Sequence, residues 1–291
     1  MFKGVIPAIV TPFKEDSSID YRGLEKNIEF LERYVDAIVP AGTTGEAATL
    51  SYEEHIEVVK FVVETSNVPV IAGSGSNSTK EAVWLTKEVE KAGADAALLI
   101  TPYYNKPNQQ GLYEHYKIIA KEVSLPLIIY NVPSRTAVNI APETVAKLSE
   151  IDNYVGIKEA SGDLKQISKI IQLTASKNFV VLSGDDLMTL PILAIGGEGV
   201  ISVAANVAPK MMKEMVDAYK SGNVKKAAEL NLRLLPLFEV LFIETNPMPV
   251  KKALDLIGLA GGKPRLPLVE LSADKTEKLR AVLKELNLLN P

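Results

Sequence analysis

Eight times along this 291-residue chain, a short apolar run rich in β-branched residues is followed by a segment patterned like a helix. The runs are GVIPAIV from residue 4, DAIVPAG from 36, VPVIAGSG from 68, DAALLIT from 95, PLIIYNV from 126, YVGIKEA from 154, FVVLSG from 179 and GVISVAA from 199. They recur at intervals of roughly 20 to 35 residues, the length of a strand plus the crossover helix that returns the chain to a parallel neighbour. Near-continuous apolar strands belong to a sheet covered by helices. Eight such units in about 220 residues predict an α/β protein of the closed (β/α)8 TIM-barrel type, with a doubly wound open sheet as the structural alternative.

The segments between the runs carry helix punctuation. Ser51 with Glu54, and Ser78 with Glu81, fit the capping box, in which each side chain satisfies a free backbone N–H at a helix start. Gly93 fits a C-terminal stop and Pro209 a first-turn position. The low-charge stretch TLPILAIGGEGVISVAANVAP contains Glu198 and reads as helix, turn and strand, not as a membrane span. After Asn223 the strands cease, and VKKAAELNLRLLPLFEVLF, PVKKALDLIGL and DKTEKLRAVLKELNLL read as three amphipathic helices. The expected organisation is a catalytic barrel over 1–222 and a C-terminal helical region over 223–291.

Composition removes several kinds of chemistry. There is no cysteine, so disulfides and thiolate metal sites are excluded, and the two histidines, His55 and His115, lie far apart in sequence. The net charge of -4 comes without a basic stripe, which argues against a nucleic-acid partner. The N-terminus lacks the pattern of a signal peptide. A cytoplasmic protein without membrane attachment is the expectation.

A barrel enzyme works at the C-terminal ends of its strands. Lys158 ends the sixth run, and period-2 alternation puts Tyr154, Gly156 and Lys158 on one face, with Val155 and Ile157 on the other. If Val155 and Ile157 face the helices, Lys158 points into the barrel mouth with Gly156 leaving room beneath it. An arbitrary strand-end lysine merely snorkels to water. A desolvated one has a lowered pKa and can attack a ketone to form a Schiff base. The preceding run ends in YNVPSRT, where Tyr130 shares a face with Ile128 and could move protons during imine formation, and Arg135 could grip a carboxylate with its planar fork. In GTTGEAATLS, after the second run, backbone N–H groups could hold an anion and the Thr43 and Thr44 hydroxyls could relay protons. The paired tyrosines of TPYYNKPNQQG, on a surface loop, suggest a binding or subunit contact.

GTTGE, TPYYNKP, YNVPSRT, GIKEASGD, SGDD and GVISVAANV occur in this order over nearly the whole chain. As a set they resemble the 4-hydroxy-tetrahydrodipicolinate synthase (dihydrodipicolinate synthase) family of class I pyruvate aldolases. The resemblance implies condensation of pyruvate with L-aspartate 4-semialdehyde in lysine and diaminopimelate biosynthesis, by a homotetramer built as a dimer of dimers, with no metal or organic cofactor. It implies that Lys158 forms the imine and that Tyr130, Thr43 and Tyr104 relay protons, Tyr104 reaching across from a neighbouring subunit. Thr44 would bind the pyruvate carboxylate, Arg135 the carboxylate of the semialdehyde, and the Gly184 and Ile201 backbones would line the pocket. The positions matching the family's regulatory lysine cleft are Ala47, Ala48, Tyr52, His55, Asn77, Glu81 and Tyr103; Ala47 stands where a serine is common and Tyr52 where a histidine is. Another pyruvate aldolase, such as N-acetylneuraminate lyase or a keto-deoxy-sugar-acid aldolase, would share Lys158 and Tyr130. A non-catalytic barrel that binds a small acid would form no covalent adduct.

Overall fold

The computed structural model describes residues 2–289. Among the described residues, seven parallel strands form one curved sheet: β1 Gly4–Pro7, β2 Ile71–Gly73, β3 Ala96–Ile100, β4 Leu127–Asn131, β5 Tyr154–Glu159, β6 Val180–Ser183 and β7 Gly199–Ser202. Their order is β1-β7-β6-β5-β4-β3-β2. The run from residue 36 supplies only isolated bridges, Ala8 to Val39 on one side and Ile38 to Val70 on the other. It closes the ring nonetheless. Val39 N–H donates to Pro7 at 2.8 Å and Ile38 N–H to Pro69 at 2.9 Å, so successive residues bond opposite neighbours. Pro40, with no N–H to give, ends the run.

Alternation sorts the strand side chains into two layers. Ile6, Val39, Ile71, Leu98, Ile128, Tyr130, Val180, Leu182 and Ile201 fill the barrel interior. Ala72, Ala97, Leu99, Ile129, Ile157 and Val181 face the helices. In β5 the alternation breaks. Leu127 pairs with Tyr154 but Ile128 pairs with Gly156, so Val155 is an extra, bulged residue. The bulge turns Tyr154 to the helix layer, where its hydroxyl donates to the Tyr116 carbonyl at 2.7 Å. It leaves Val155 against the barrel interior. The expected face for Tyr154 and Val155 was therefore reversed, while Gly156, Ile157 and Lys158 follow the pattern. Gly156 makes room for Val180, not for Lys158: a Cβ there would stand 2.7 Å from Val180 Cγ2.

The expected helix punctuation is present with one change. Ser51 and Glu54 form the full capping box. Ser78 caps its helix, Thr79–Lys91, but the Glu81 carboxylate accepts from Ser76 Oγ at 2.8 Å and so does not close a box. Gly93 takes φ +90 after the same helix, and Pro209 opens the helix Pro209–Lys220. The C-terminal helices are Val224–Val240, Met248–Leu256 and Ala273–Glu285. Leu230, Leu234, Val250, Leu254 and Leu279 merge with Val5 and Ile9 of the barrel and Leu24 and Ile28 of the first helix in one buried cluster. Among the described residues, no helix is long and apolar enough to cross a membrane.

Candidate active site

Lys158 reaches the site through strand register. It pairs with Tyr130 on β4 and Leu182 on β6, so all three point inward at the same height. Its Nζ lies 4.1 Å from the centroid of the Tyr130 ring. The residue is only 6 % exposed. Burial disfavours the ammonium form and pulls the lysine from its usual value near 10.5 to about 7; the Arg135 charge acts in the same direction and the Asp186 charge against it. A buried amine of this kind is partly neutral near pH 7, and in that form it is nucleophilic.

Gly184, after β6, shapes the space the lysine occupies. A Cβ at this position would stand 3.0 Å from Lys158 Cγ, 3.1 Å from Lys158 Cε and 2.8 Å from Ala160 Cβ. Tyr130 is buried, and burial raises its phenol above the usual value despite the opposing effects of Arg135 and of the Thr43 hydroxyl beside it. It stays protonated at neutral pH and can act as a proton donor. Thr43 is brought over the barrel by the turn at 42–49, which is fastened by Thr11 Oγ1 donating to the Gly45 carbonyl at 2.8 Å.

Thr43, Tyr130, Arg135 and Lys158 share one cavity of about 560 Å³. Ala47, Ala48, Tyr52, His55, Glu81 and Tyr103 line its other flank. Arg135 sits on the short helix Pro133–Thr136, and its guanidinium donates to the Asn246 carbonyl at 3.2 Å. Thr44 is buried behind the wall, its hydroxyl accepting from Asn246 Nδ2 at 3.0 Å. Gly184 touches Lys158 rather than the open space, and Ile201 belongs to the barrel interior. Tyr104 is 88 % exposed, with φ +72, and within this chain it does not join the others. Asn77 also lies off the cavity wall, its carbonyl accepting from Asn105 Nδ2 at 2.9 Å.

Several polar groups on the second flank already have partners. Burial lowers His55 below its usual range, so the ring is neutral at pH 7 and Nε2, 2.6 Å from the Gly73 carbonyl, serves as the donor. The Tyr52 phenol is raised by burial and by the neighbouring Glu81 charge, and its ring meets Trp84 edge-on at 5.1 Å.

Sequence reasoning missed three residues. Asn246 comes from the C-terminal region, about 200 positions from Thr44, lines the cavity, and keeps a buried Oδ1 that has no hydrogen-bond partner. Asp186, the second acid of SGDD, is buried and accepts from Ser202 Oγ at 2.5 Å, Val203 N at 3.0 Å and Ala204 N at 2.8 Å. Burial pushes it up to about 6, and it ties the ends of β6 and β7 together. Glu46, the acid of GTTGE, belongs to the cavity wall, with its carboxylate turned to Lys251 and Arg265 N. The motif letters of the two acids were visible, but nothing in them said which way the carboxylates point.

The chain matches the family model described as the Dihydrodipicolinate synthetase family over residues 1–286. It is 68% identical over 290 residues to a 4-hydroxy-tetrahydrodipicolinate synthase of Archaeoglobus fulgidus, covering 100% of both chains. It is 56% identical to the enzyme of that name from Methanothrix thermoacetophila, covering 99% of this chain and 98% of the relative. The crystal structure of dihydrodipicolinate synthase from Aquifex aeolicus superposes with a TM-score of 0.96 at 49% identity, covering 100% of both chains.

Proposed function

The chain belongs to the dihydrodipicolinate synthetase family, and from that premise we propose that Lys158 is the residue through which it binds pyruvate covalently. The enzyme is a lyase that condenses pyruvate with L-aspartate 4-semialdehyde in lysine and diaminopimelate biosynthesis. The observation that carries the assignment of Lys158 is a buried amine, brought to about 7, on the cavity that also holds Tyr130, Thr43 and Arg135.

Neutral Lys158 adds its nitrogen lone pair to the ketone carbon of pyruvate, giving a carbinolamine. Tyr130 supplies a proton to the carbinolamine hydroxyl, which leaves as water, and the imine forms. The imine withdraws electrons from the methyl carbon, a proton is lost from it, and the resulting enamine attacks the aldehyde carbon of the semialdehyde. The proton passes to the new alkoxide through Thr43 and Tyr130. Attack of the substrate's own amine on the imine carbon then expels Lys158 and closes the ring.

In this reading Thr44 takes the pyruvate carboxylate, which requires its hydroxyl to turn from Asn246 Nδ2 toward the cavity, and the Arg135 fork takes the carboxylate of the semialdehyde. Gly184 keeps the lysine's path open, and Ile201 packs the floor. Tyr104 enters the relay from a second copy of the chain in a homotetramer; its near-complete exposure supports this reading. Residues 47, 48, 52, 55, 81 and 103, with Asn77 off to the side, form a flank suited to an amino-acid effector but weakened by Ala47 and by Tyr52. The cytoplasm is the compartment this biosynthetic reading implies.

Borohydride reduction in the presence of pyruvate tests the assignment. One reduced pyruvyl group should appear on Lys158, and Lys158→Ala should abolish it. An adduct at another lysine, or none, overturns it.

A further inference from the structure

Three residues after Thr43 the backbone adopts a conformation that side-chain residues rarely take: Glu46 has φ +56 and is buried. The turn is wound around it. Glu46 N–H donates to the Thr43 carbonyl at 3.1 Å, and Glu46 carbonyl accepts from Thr49 N at 2.9 Å and Thr49 Oγ1 at 3.1 Å. The carboxylate points away from the barrel strands and into the C-terminal region. Oε1 accepts from Lys251 Nζ at 2.5 Å, and Oε2 from Arg265 N at 2.9 Å. Lys251 is enclosed: both side chains of the pair are 1% exposed, the ammonium also donates to the Thr11 carbonyl at 3.0 Å, and it lies 4.3 Å from the Phe13 ring centroid.

An ion pair this deep is a poor device for stability, because the loss of hydration offsets most of the attraction and an apolar replacement is often neutral. Its directional bonds are better suited to fixing a backbone. Lys251 lies in the helix Met248–Leu256, and Asn246 lies just before that helix. Asn246 reaches the same turn from the other side, through Nδ2 to Thr44 Oγ1, and meets Arg135 through its carbonyl. One short segment of the C-terminal region therefore holds the Thr43–Thr44 turn at two points and Arg135 at a third.

We propose that Lys251 and Asn246 are positioning residues that set the Thr43–Thr44 turn over Lys158, with Glu46 as the grip by which Lys251 holds it. This rests on the reading of Thr43 as part of the proton relay. The C-terminal helices are then a working part of the site, although no atom of Lys251 faces the substrate.

The test is a double-mutant cycle. Lys251→Met combined with Glu46→Gln removes both charges together, so that no uncompensated charge stays buried. With Thr43 present, this pair should slow turnover on the order of 10- to 100-fold, as a small misplacement of a reacting group does. Borohydride should still label Lys158 to completion, but more slowly. In a Thr43→Val background, where there is no hydroxyl left to misplace, the same pair should cost less than about threefold more. Losses that multiply fully across the cycle, or wild-type turnover in the Lys251→Met/Glu46→Gln protein, overturn the inference. Asn246→Ala provides a second arm of the same cycle with the same two readings, and serves if the charge-pair variant does not fold. Failure of the unmodified enzyme to label at Lys158 would instead overturn the underlying reading of the site, so the two failures are distinguishable.

Discussion

Replacing Lys158 by methionine should make the protein more stable. The folded chain holds this amine almost out of water and brings it from near 10.5 to about 7; the unfolded chain, exposed to solvent, keeps its proton up to about 10.5. Between those limits the unfolded state binds more protons than the folded state, so stability rises with pH through this window. At about 1.4 kcal/mol per tenfold difference in proton affinity, burying this lysine costs on the order of 4 kcal/mol at pH 7, and almost nothing by pH 10.5. Methionine has similar length, fits beside Gly184 and carries no proton to lose. For a chain of this size, at about 2 °C per kcal/mol, Lys158→Met should melt several degrees higher than the wild type at pH 7. The gap should shrink steadily as pH rises toward 10. Calorimetry on both proteins at matched concentration, at pH steps from 7 to 10, reads it directly. A lower melting temperature for the variant, or a gap independent of pH, would show that the ammonium is stabilised where it lies, for example by the Tyr130 ring face 4.1 Å away, and would refute the argument.

Gly184→Ala should slow imine formation with pyruvate on the order of tenfold or more, because the new methyl must push Lys158 or Ala160 aside from contacts of 3.1 Å or less; an unchanged rate of borohydride labelling would show that the lysine has slack. His115 is buried between helices with Nδ1 2.9 Å from the Thr79 hydroxyl and Nε2 without a partner, and burial lowers it from near 6.5 to about 4. Stability that is complete above pH 6.5 should be lost as pH falls toward 4, by on the order of 3 kcal/mol from this residue, and His115→Leu should make the slope of denaturation midpoints over that range shallower; parallel slopes would contradict it. L-Lysine should inhibit weakly or not at all, since Ala47 and Tyr52 replace polar groups common in the family's effector cleft and His55 Nε2 is already committed to Gly73. A lysine titration of initial rates at saturating pyruvate checks this, and half-inhibition below about 1 mM would show that the remaining groups suffice.

The barrel was legible because its signal is coarse: fully buried parallel strands leave apolar runs that need no register to be seen. Register is where single residues matter. The bulge at Val155 has no composition cue, since valine suits either face, and it reversed Tyr154 and Val155 while leaving Lys158 in place three positions on. Lys158 and Tyr130 could be paired from sequence because each lies one residue from the end of its own strand, and parallel neighbours end together. The second run was equally plain as an apolar stretch, yet its bonds are split one residue at a time between two neighbours, which no pattern of side chains reveals. Asn246 and Lys251 escaped for a different reason. Their partners are Thr44 and Glu46, some 200 residues earlier, and an asparagine before a proline and a lysine on an amphipathic helix look like turn and surface. Only the packing of that helix against the 42–49 turn gives them a task.

The filled interior of the barrel has a kinetic meaning. Beneath Lys158 the space is taken by Val180, Ile128 and Ile6, so nothing can pass through from below. The site is a blind alley, closed on the side of the barrel interior. On the proposed role of Lys158, pyruvate should go in first and the water it sheds on bonding to the lysine should come back out past the same cavity wall. On that reading traffic alone should order the two substrates, the ketone before the aldehyde, without any contact evolved for that purpose.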